Sequence, residues 1–261
     1  MTLAFALALF ALGLLGAFVS GLLGVGGAIV MIPLLLYGPP ALGVGHLDVK
    51  SVAGVTMVLV LMASVSGVVA HHRTRSVSGE LAWIGGVTMA AGSLAGAIGS
   101  KFVADSVLLA VFAAMATAAL ALMLVPTETV GQPLFAEQVH FSRPRVMMVC
   151  LGVGLVAGLV GAGGAFLLVP LLLVVVRLPI RVTIGSSLAI TALAALTGFT
   201  GKLATGQIPF LPAVFAVAGA VPGAQLGALV SHRLSGRRLK QALFVVVLMS
   251  AVQVWWHLLL R

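Results

Sequence analysis

The sequence predicts an all-α polytopic membrane protein built from two inverted repeats of one helical unit. Three observations support this prediction: the composition, the lengths of the apolar segments and an internal repeat. Hydrophobic residues occupy 61% of the 261 positions before the 32 glycines are counted, and only 7% of positions are charged. Soluble globular domains are much less apolar and carry far more charge, so the composition excludes that class.

Eight apolar segments follow one another along the chain. They lie at about residues 3–36, 50–70, 81–100, 106–125, 145–176, 182–201, 208–231 and 241–260. Several reach the roughly 20 residues that span the hydrocarbon core of a bilayer. The first and fifth are too long for one straight crossing, because a helix of their length would extend about 50 Å where the core is about 30 Å thick. We therefore expect both overlong segments to be interrupted.

A repeated glycine motif predicts where the interruptions lie. Residues 21–36 read GLLGVGGAIVMIPLLL and residues 158–173 read GLVGAGGAFLLVPLLL, with ten identities in sixteen positions. Each copy places four glycines within seven positions, and one glycine in a helix interior costs about 1 kcal/mol. We therefore expect breaks at Gly21–Gly27 and Gly158–Gly164. A proline six residues after the last glycine of each motif can kink or end the following arm.

The similarity continues beyond the motif with the offset reduced from 137 to 131 residues. We therefore divide the chain into a first repeat at residues 1–125, a linker at 126–144 and a second repeat at 145–261. Prolines and mixed charges occur in the linker, as is typical of an exposed connection. The first repeat carries six additional residues around Tyr37-Gly-Pro-Pro40.

The basic residues indicate an orientation. If each overlong segment is a hairpin, ten of the fourteen Lys and Arg residues fall on one side and four on the other. Straight crossings would divide them six against eight and give no orientation. The positive-inside rule then places both termini outside the cytoplasm. Each repeat becomes a glycine-broken helical hairpin plus three transmembrane helices, so the two repeats are inverted, a common plan in transporters.

Each glycine break is also a candidate anion site. The arm after a break begins with free backbone N–H groups and a partial positive charge, and glycine lets a ligand approach the main chain. The alternative is that these glycines only allow close helix packing, but recurrence of the motif favours the anion site. The substrate-binding candidates are Gly24, Gly26, Gly27, Ala28, Thr56, Gly161, Gly163, Gly164, Ala165, Ser186 and Ser187, and the secondary candidates are Ser20, Ser66, His71, Thr191, Lys202 and Gln225.

Other small and polar residues favour structural interpretations. Gly92-x-x-x-Gly96 and Gly223-x-x-x-Gly227 occupy equivalent positions in the repeats, and this spacing predicts helix packing faces. His71 and Lys202 are matched by the offset of 131 residues. They could draw anions into vestibules, although basic residues at helix ends more often anchor a helix at the interface.

Several functional classes are disfavoured. The five acidic residues lie at segment ends or in connectors, whereas cation pumps and proton relays rely on carboxylates inside the membrane. No paired carboxylates, clustered histidines or nucleophile–base pair can be assembled, so we expect neither an enzyme nor a cofactor. Cys150 has no disulfide partner or metal-ligand spacing and is interpreted as a packing residue. The net charge of +9 arises mostly from short connectors, which indicates topology rather than nucleic-acid binding.

The motifs resemble those of the TauE/SafE family of sulfite exporters, also called TSUP permeases. The likeness rests on the two glycine motifs and on the segment VTIGSSLAITALAALTGF, which contains Gly185-Ser186-Ser187, and it extends over nearly the whole chain. The resemblance implies a bacterial-type inner-membrane carrier of sulfite, organosulfonates or related small oxyanions. The matching patch in the first repeat reads Gly54-Val55-Thr56, with one hydroxyl fewer, so an evenly symmetric site is not implied.

We therefore expect a secondary transporter that binds a small anion at mid-membrane between the two glycine-broken helices and alternates access. An anion channel of the same architecture is the alternative, and saturable flux with trans-acceleration would distinguish the carrier. The expected partners are the anion and the lipid bilayer, with no nucleic acid. The sequence allows a homodimer but does not fix the oligomeric state, the substrate, the direction of flux or the coupling ion.

Overall fold

The computed structural model of the protein describes residues 2–23, 27–71, 78–125, 141–231 and 236–259. Within these ranges, the side chains of residues 66–71, 180, 181, 184, 228, 231 and 236–240 are not described. The described backbone forms ten α-helices and one short 3₁₀ turn at Ser100–Phe102, without β-strands. The helices are α1 Leu3–Leu23, α2 Ala28–Ala41, α3 Val49–His71, α4 Gly79–Gly99, α5 Asp105–Leu124, α6 Arg143–Val160, α7 Ala165–Val174, α8 Ile180–Ala204, α9 Phe210–Ser231 and α10 Gly236–Leu259.

Seven of the helices in the described ranges are long and apolar enough to cross a bilayer. These are α1, α4, α5, α6, α8, α9 and α10. Shorter apolar helical stretches lie at Ala28–Ala41, Val49–Val65 and Ala165–Val174. Large apolar side chains on several of these helices are exposed, among them Leu229, Met249 and Trp256. An all-helical protein with this pattern is a multi-pass membrane protein, as the composition predicts.

Both overlong segments are broken at the predicted motif. The first segment is helical to Leu23 and resumes at Ala28, and the second is helical to Val160 and resumes at Ala165. Gly27 begins α2 with φ of 75°, and Gly164 begins α7 with the same φ. Side chains disfavour this left-handed region, which explains why glycine occupies both positions. The second segment therefore becomes two helical arms joined by a short turn that contains Gly161, Gly163 and Gly164, and in the first segment a new arm begins after Gly27.

The proline of each second arm does not end it. Helix α2 continues through Pro33 to Ala41, and α7 continues through Pro170 to Val174. With 14 residues, α2 is longer than α7, which has 10. The added residues around Tyr37-Gly-Pro-Pro40 thus extend α2 by about one turn in the first half.

Several of the remaining glycines bring helices from the two halves into contact. Helix α1 packs along α9, and α4 packs along α6 and α8. A Cβ atom at Gly223 would overlap the carbonyl oxygen of Leu14, and one at Gly96 would overlap the carbonyl oxygen of Leu155. The predicted packing role of the G-x-x-x-G pairs is therefore confirmed, because only glycine permits backbones to approach this closely.

The same contacts give the relative directions of the paired helices. On α9, Gly219 lies against Phe10 and Gly227 lies against Phe18, so α9 and α1 run in the same direction. Helices α4 and α6 also run in the same direction, because the glycines of α4 meet successive carbonyls along α6. Helices α3 and α8 pack against each other, as do α5 and α10. The division at residues 1–125 and 145–261 and the inverted relation of the two units stay predictions.

Candidate functional site

A cavity of about 310 Å³ lies at the first glycine break. It is lined by the end of α1, the start of α2, the middle of α3 and one face of α9. Five of the sequence-predicted residues line it: Ser20, Gly27, Ala28, Thr56 and Gln225. The rest of its wall is apolar, with side chains such as Met31, Leu59 and Val60.

The start of α2 presents backbone donors to this cavity. The carbonyl oxygen of Gly27 accepts the N–H groups of Val30 and Met31 at 3.2 and 3.0 Å. The N–H groups of Ala28 and Ile29 have no backbone acceptor within the described residues, and of these two residues only Ala28 lines the cavity. They form the positive end of the α2 dipole, which favours a negative ligand.

The hydroxyl of Ser20 lies beside this helix start. The Ser20 side chain is only 8% exposed. A Cβ atom placed on Gly27 would lie 2.6 Å from Ser20 Oγ, so the hydroxyl occupies the space that a side chain at Gly27 would need. Ser20 lines the cavity and makes no hydrogen bond to any residue that the structure describes. It is therefore available to donate to a ligand there.

Thr56 and Gln225 offer different hydrogen-bonding groups to a ligand in the cavity. Thr56 is fully buried and its Oγ1 donates to the carbonyl oxygen of Val52 at 2.8 Å. Its proton is therefore engaged, and it offers a ligand only acceptor lone pairs. Gln225 is exposed and lines the cavity, so its amide can supply N–H donors.

The second glycine break is closely packed. A Cβ atom on Gly161 would overlap the carbonyl oxygen of Ala53, and one on Gly163 would overlap the side chain of Val60. Gly164 is surrounded by side chains of α4 and α6, and Ala165 is buried. Val60 also lines the cavity of the first break. The two breaks therefore approach each other through α3, although the second-half glycines do not line that cavity.

The hydroxyls of α8 lie outside the cavity lining. Ser186 Oγ accepts the backbone N–H of Ser78 at 3.1 Å, which ties α8 to the start of α4. Ser187 and Thr191 are buried, and within the described ranges Thr191 Oγ1 has no hydrogen-bond partner. The sequence-predicted set thus separates into a first-half group around one cavity and a second-half group within the packing of α8.

Lys202 occupies the other end of α8 as part of a buried polar cluster. Its side chain is 0% exposed, and its Nζ donates to Ser100 Oγ at 2.7 Å, Leu159 O at 3.1 Å and Gln207 Oε1 at 3.1 Å. Three acceptors match the three donors of an ammonium group. The interpretation of Lys202 as an interfacial anchor is therefore wrong: it satisfies a carbonyl at the C-terminal end of α6, next to the second break.

Ser100 and Gln207 complete this cluster, although neither is among the candidates that the sequence predicts. Gln207 Nε2 donates to Ala97 O at 3.1 Å and to Thr205 Oγ1 at 2.7 Å, so both ends of its amide are bonded. Ser100 Oγ also lies 2.7 Å from Ala97 O. The only sequence signal for this cluster was an isolated amide in the connector between two apolar segments, which is compatible with an exposed loop as well.

Four of the remaining candidates have side chains or backbone that the structure does not describe. Gly24 and Gly26 are outside the described residues, and the side chains of Ser66 and His71 are not described. Among the described residues, no group of three His, Cys, Asp or Glu side chains could hold a metal ion. Cys150 is buried in α6, as its interpretation as a packing residue predicts.

Comparison with known proteins places the chain in a family. Residues 9–254 match the family described as "Sulfite exporter TauE/SafE". The chain is 25% identical over 260 residues to the probable membrane transporter protein YunE of Bacillus subtilis (strain 168), with 93% of this chain and 94% of that protein aligned. It is 30% identical over 255 residues to a probable membrane transporter protein of Xylella fastidiosa (strain 9a5c), with 94% and 92% aligned. No solved structure matches the chain.

These relatives and the multi-pass helical fold define the class: the protein is a membrane transporter or permease and not an enzyme. More specifically, the chain belongs to the TauE/SafE family, whose match covers almost its full length.

Proposed function

We propose that the protein is a secondary transporter of a small anion, with sulfite, an organosulfonate or a related sulfur oxyanion as its substrate. The observation that carries the proposal is the cavity at the start of α2, where Ser20 and the first amides of the helix meet. Helix starts bind oxyanions through their free N–H groups, and a buried hydroxyl without a partner adds a further donor.

Alternating access in this proposal uses the contact between the two glycine breaks. Val60 belongs to the cavity wall and also fills the space next to Gly163. A shift of one half against the other at this contact would change which break is open to the anion. Such rocking about a central site is the usual mechanism for transporters with repeated units.

The proposal includes the membrane arrangement. The units at 1–125 and 145–261 are inverted, both termini lie outside the cytoplasm, and the protein resides in the inner membrane, where it can form a homodimer. The pairs α1–α9 and α4–α6 support a two-fold relation between the units, because each pairs the first helix of one unit with the fourth helix of the other.

The test is uptake of labelled sulfite, sulfate, thiosulfate and taurine-like sulfonates into proteoliposomes. We expect saturable uptake of at least one sulfur oxyanion and acceleration by unlabelled anion on the opposite side. Loss of this uptake in Ser20→Ala, with retention in Ser106→Ala on the exposed surface of α5, would assign it to the cavity. Flux without saturation or trans-acceleration would show an anion channel instead. No uptake of any of these anions above empty liposomes would refute the proposal.

A further inference from the structure

The cavity at the start of α2 contains no ionisable side chain among its described lining. All fifteen lining residues are apolar or neutral, and Ser20, Thr56 and Gln225 are the polar ones. An anion that contacts these described residues would therefore meet dipoles rather than a full positive charge.

The buried ammonium of Lys202 does not supply the cavity with a positive charge in direct contact with an anion. Its three donors are directed to Ser100, Leu159 and Gln207. None of these residues lines the cavity. An anion in the cavity thus forms no direct ion pair with Lys202, which is the one fully buried charged side chain among the described residues.

The donors in the cavity are also few and neutral. They are the N–H group of Ala28, the hydroxyl of Ser20 and the amide of Gln225. Ser20 is an independent indication of a ligand, because its side chain is more than nine-tenths buried, lines the cavity and has no partner among the described residues. The α2 N-terminus supplies the equivalent of only about half a positive charge.

Electrostatics then distinguishes anions by their charge. The cost of removing an ion from water rises with the square of its charge, so it is about four times larger for a dianion than for a monoanion of equal size. The attraction to fixed dipoles rises only in proportion to the charge and therefore doubles. A site built from neutral dipoles in a low-dielectric bundle consequently penalises the second charge.

We propose that this cavity selects singly charged oxyanions and rejects doubly charged oxyanions of the same shape. The volume of about 310 Å³ and the apolar wall also leave room for a small apolar substituent on the oxyanion. This inference rests on the proposed function, since it concerns the same site, and it specifies the charge state that the site accepts.

The test compares methanesulfonate with methylphosphonate, which have the same shape. At alkaline pH methylphosphonate is doubly charged and methanesulfonate is singly charged. We expect purified protein to bind methanesulfonate at least about tenfold more tightly under these conditions, as measured by calorimetry. As the pH falls and methylphosphonate gains a proton, its affinity should approach that of methanesulfonate, whose own affinity serves as the control for changes in the protein.

A charge-adding variant provides a second measurement. Gln225→Lys places an ammonium group at the exposed side of the cavity, and Gln225→Met is its neutral control. We expect Gln225→Lys, but not Gln225→Met, to reduce the preference for methanesulfonate several-fold. Equal affinity of the wild type for both ligands at alkaline pH would overturn the inference while leaving an anion site in place. An unchanged preference in a monodisperse Gln225→Lys protein would also overturn it. Binding of neither ligand, together with no sulfur oxyanion uptake, would instead overturn the proposed function.

Discussion

Lys202 and Gln207 should be energetically coupled, and a double-mutant cycle can measure the coupling. The Lys202 ammonium donates to Gln207 Oε1 at 3.1 Å inside the protein. A hydrogen bond to a charged group contributes about 1.5–3 kcal/mol. In wild-type protein, Gln207→Ala removes one of the three described acceptors of a buried cation. In Lys202→Met protein the same change removes no such contact.

The single variants are less informative than the cycle. Lys202→Met leaves Leu159 O without its ammonium donor, which costs about 1–3 kcal/mol. It also relieves the protein of a buried charge that has no carboxylate partner among its described contacts, and this relief offsets the loss. The net change for the single variant is therefore small, whereas the coupling free energy should be about 1.5–3 kcal/mol.

The assay is reversible unfolding in mixed micelles, followed by circular dichroism, for the wild type, both single variants and the double variant. Lys101→Met is a matched control, because Lys101 is exposed and adjoins the same cluster in sequence. Its effect should add to that of Gln207→Ala within about 0.5 kcal/mol. Additivity of Lys202→Met and Gln207→Ala to the same precision would refute a buried ammonium bound to this amide.

Three further outcomes are expected. Ser20→Ala should weaken binding of the transported anion roughly ten- to hundredfold. Thr56→Ala should weaken it less, because the Thr56 proton already bonds Val52 O. Equal anion affinities of the two variants in a binding titration would contradict this order. Gly223→Leu should lower the yield of monodisperse protein before it affects flux, because its side chain would overlap α1 at Leu14; full yield with lost flux would argue against a packing role. An alkaline phosphatase fused to the C-terminus should be active, and an inactive enzyme beside a bright fluorescent fusion would invert the proposed topology.

Much of the local structure follows from the sequence alone. Apolar segment lengths predict the membrane helices because the hydrocarbon core requires about 20 apolar residues per crossing. The glycine motifs predict the two breaks because glycine weakens a helix wherever it occurs, independently of what the helix later contacts. The G-x-x-x-G pairs predict packing faces for a related reason, since the spacing of four residues aligns them on one helix face.

Part of the candidate site was also predictable. The sequence predicts Ser20, Gly27 and Thr56 as candidates because they occur at or near a glycine break, and the structure gathers them around one cavity. The equivalent selection in the second half did not produce a matching arrangement. There, Gly163 packs on Val60 and Ser186 binds the start of α4. A sequence repeat assigns equivalent positions, but neighbours from other helices decide whether those positions line a cavity or a packed interface.

The sequence by itself therefore determined a multi-pass helical membrane protein with two broken segments, because these properties depend on composition and on spacing along the chain. Only the tertiary structure decided that α1 packs with α9 and α4 with α6, that the cavity lies at the first break, and that Lys202 is buried. In these helices apolar residues occur on every side, so hydrophobic periodicity does not indicate which face meets which partner. That choice depends on close backbone contacts between segments that are far apart in sequence.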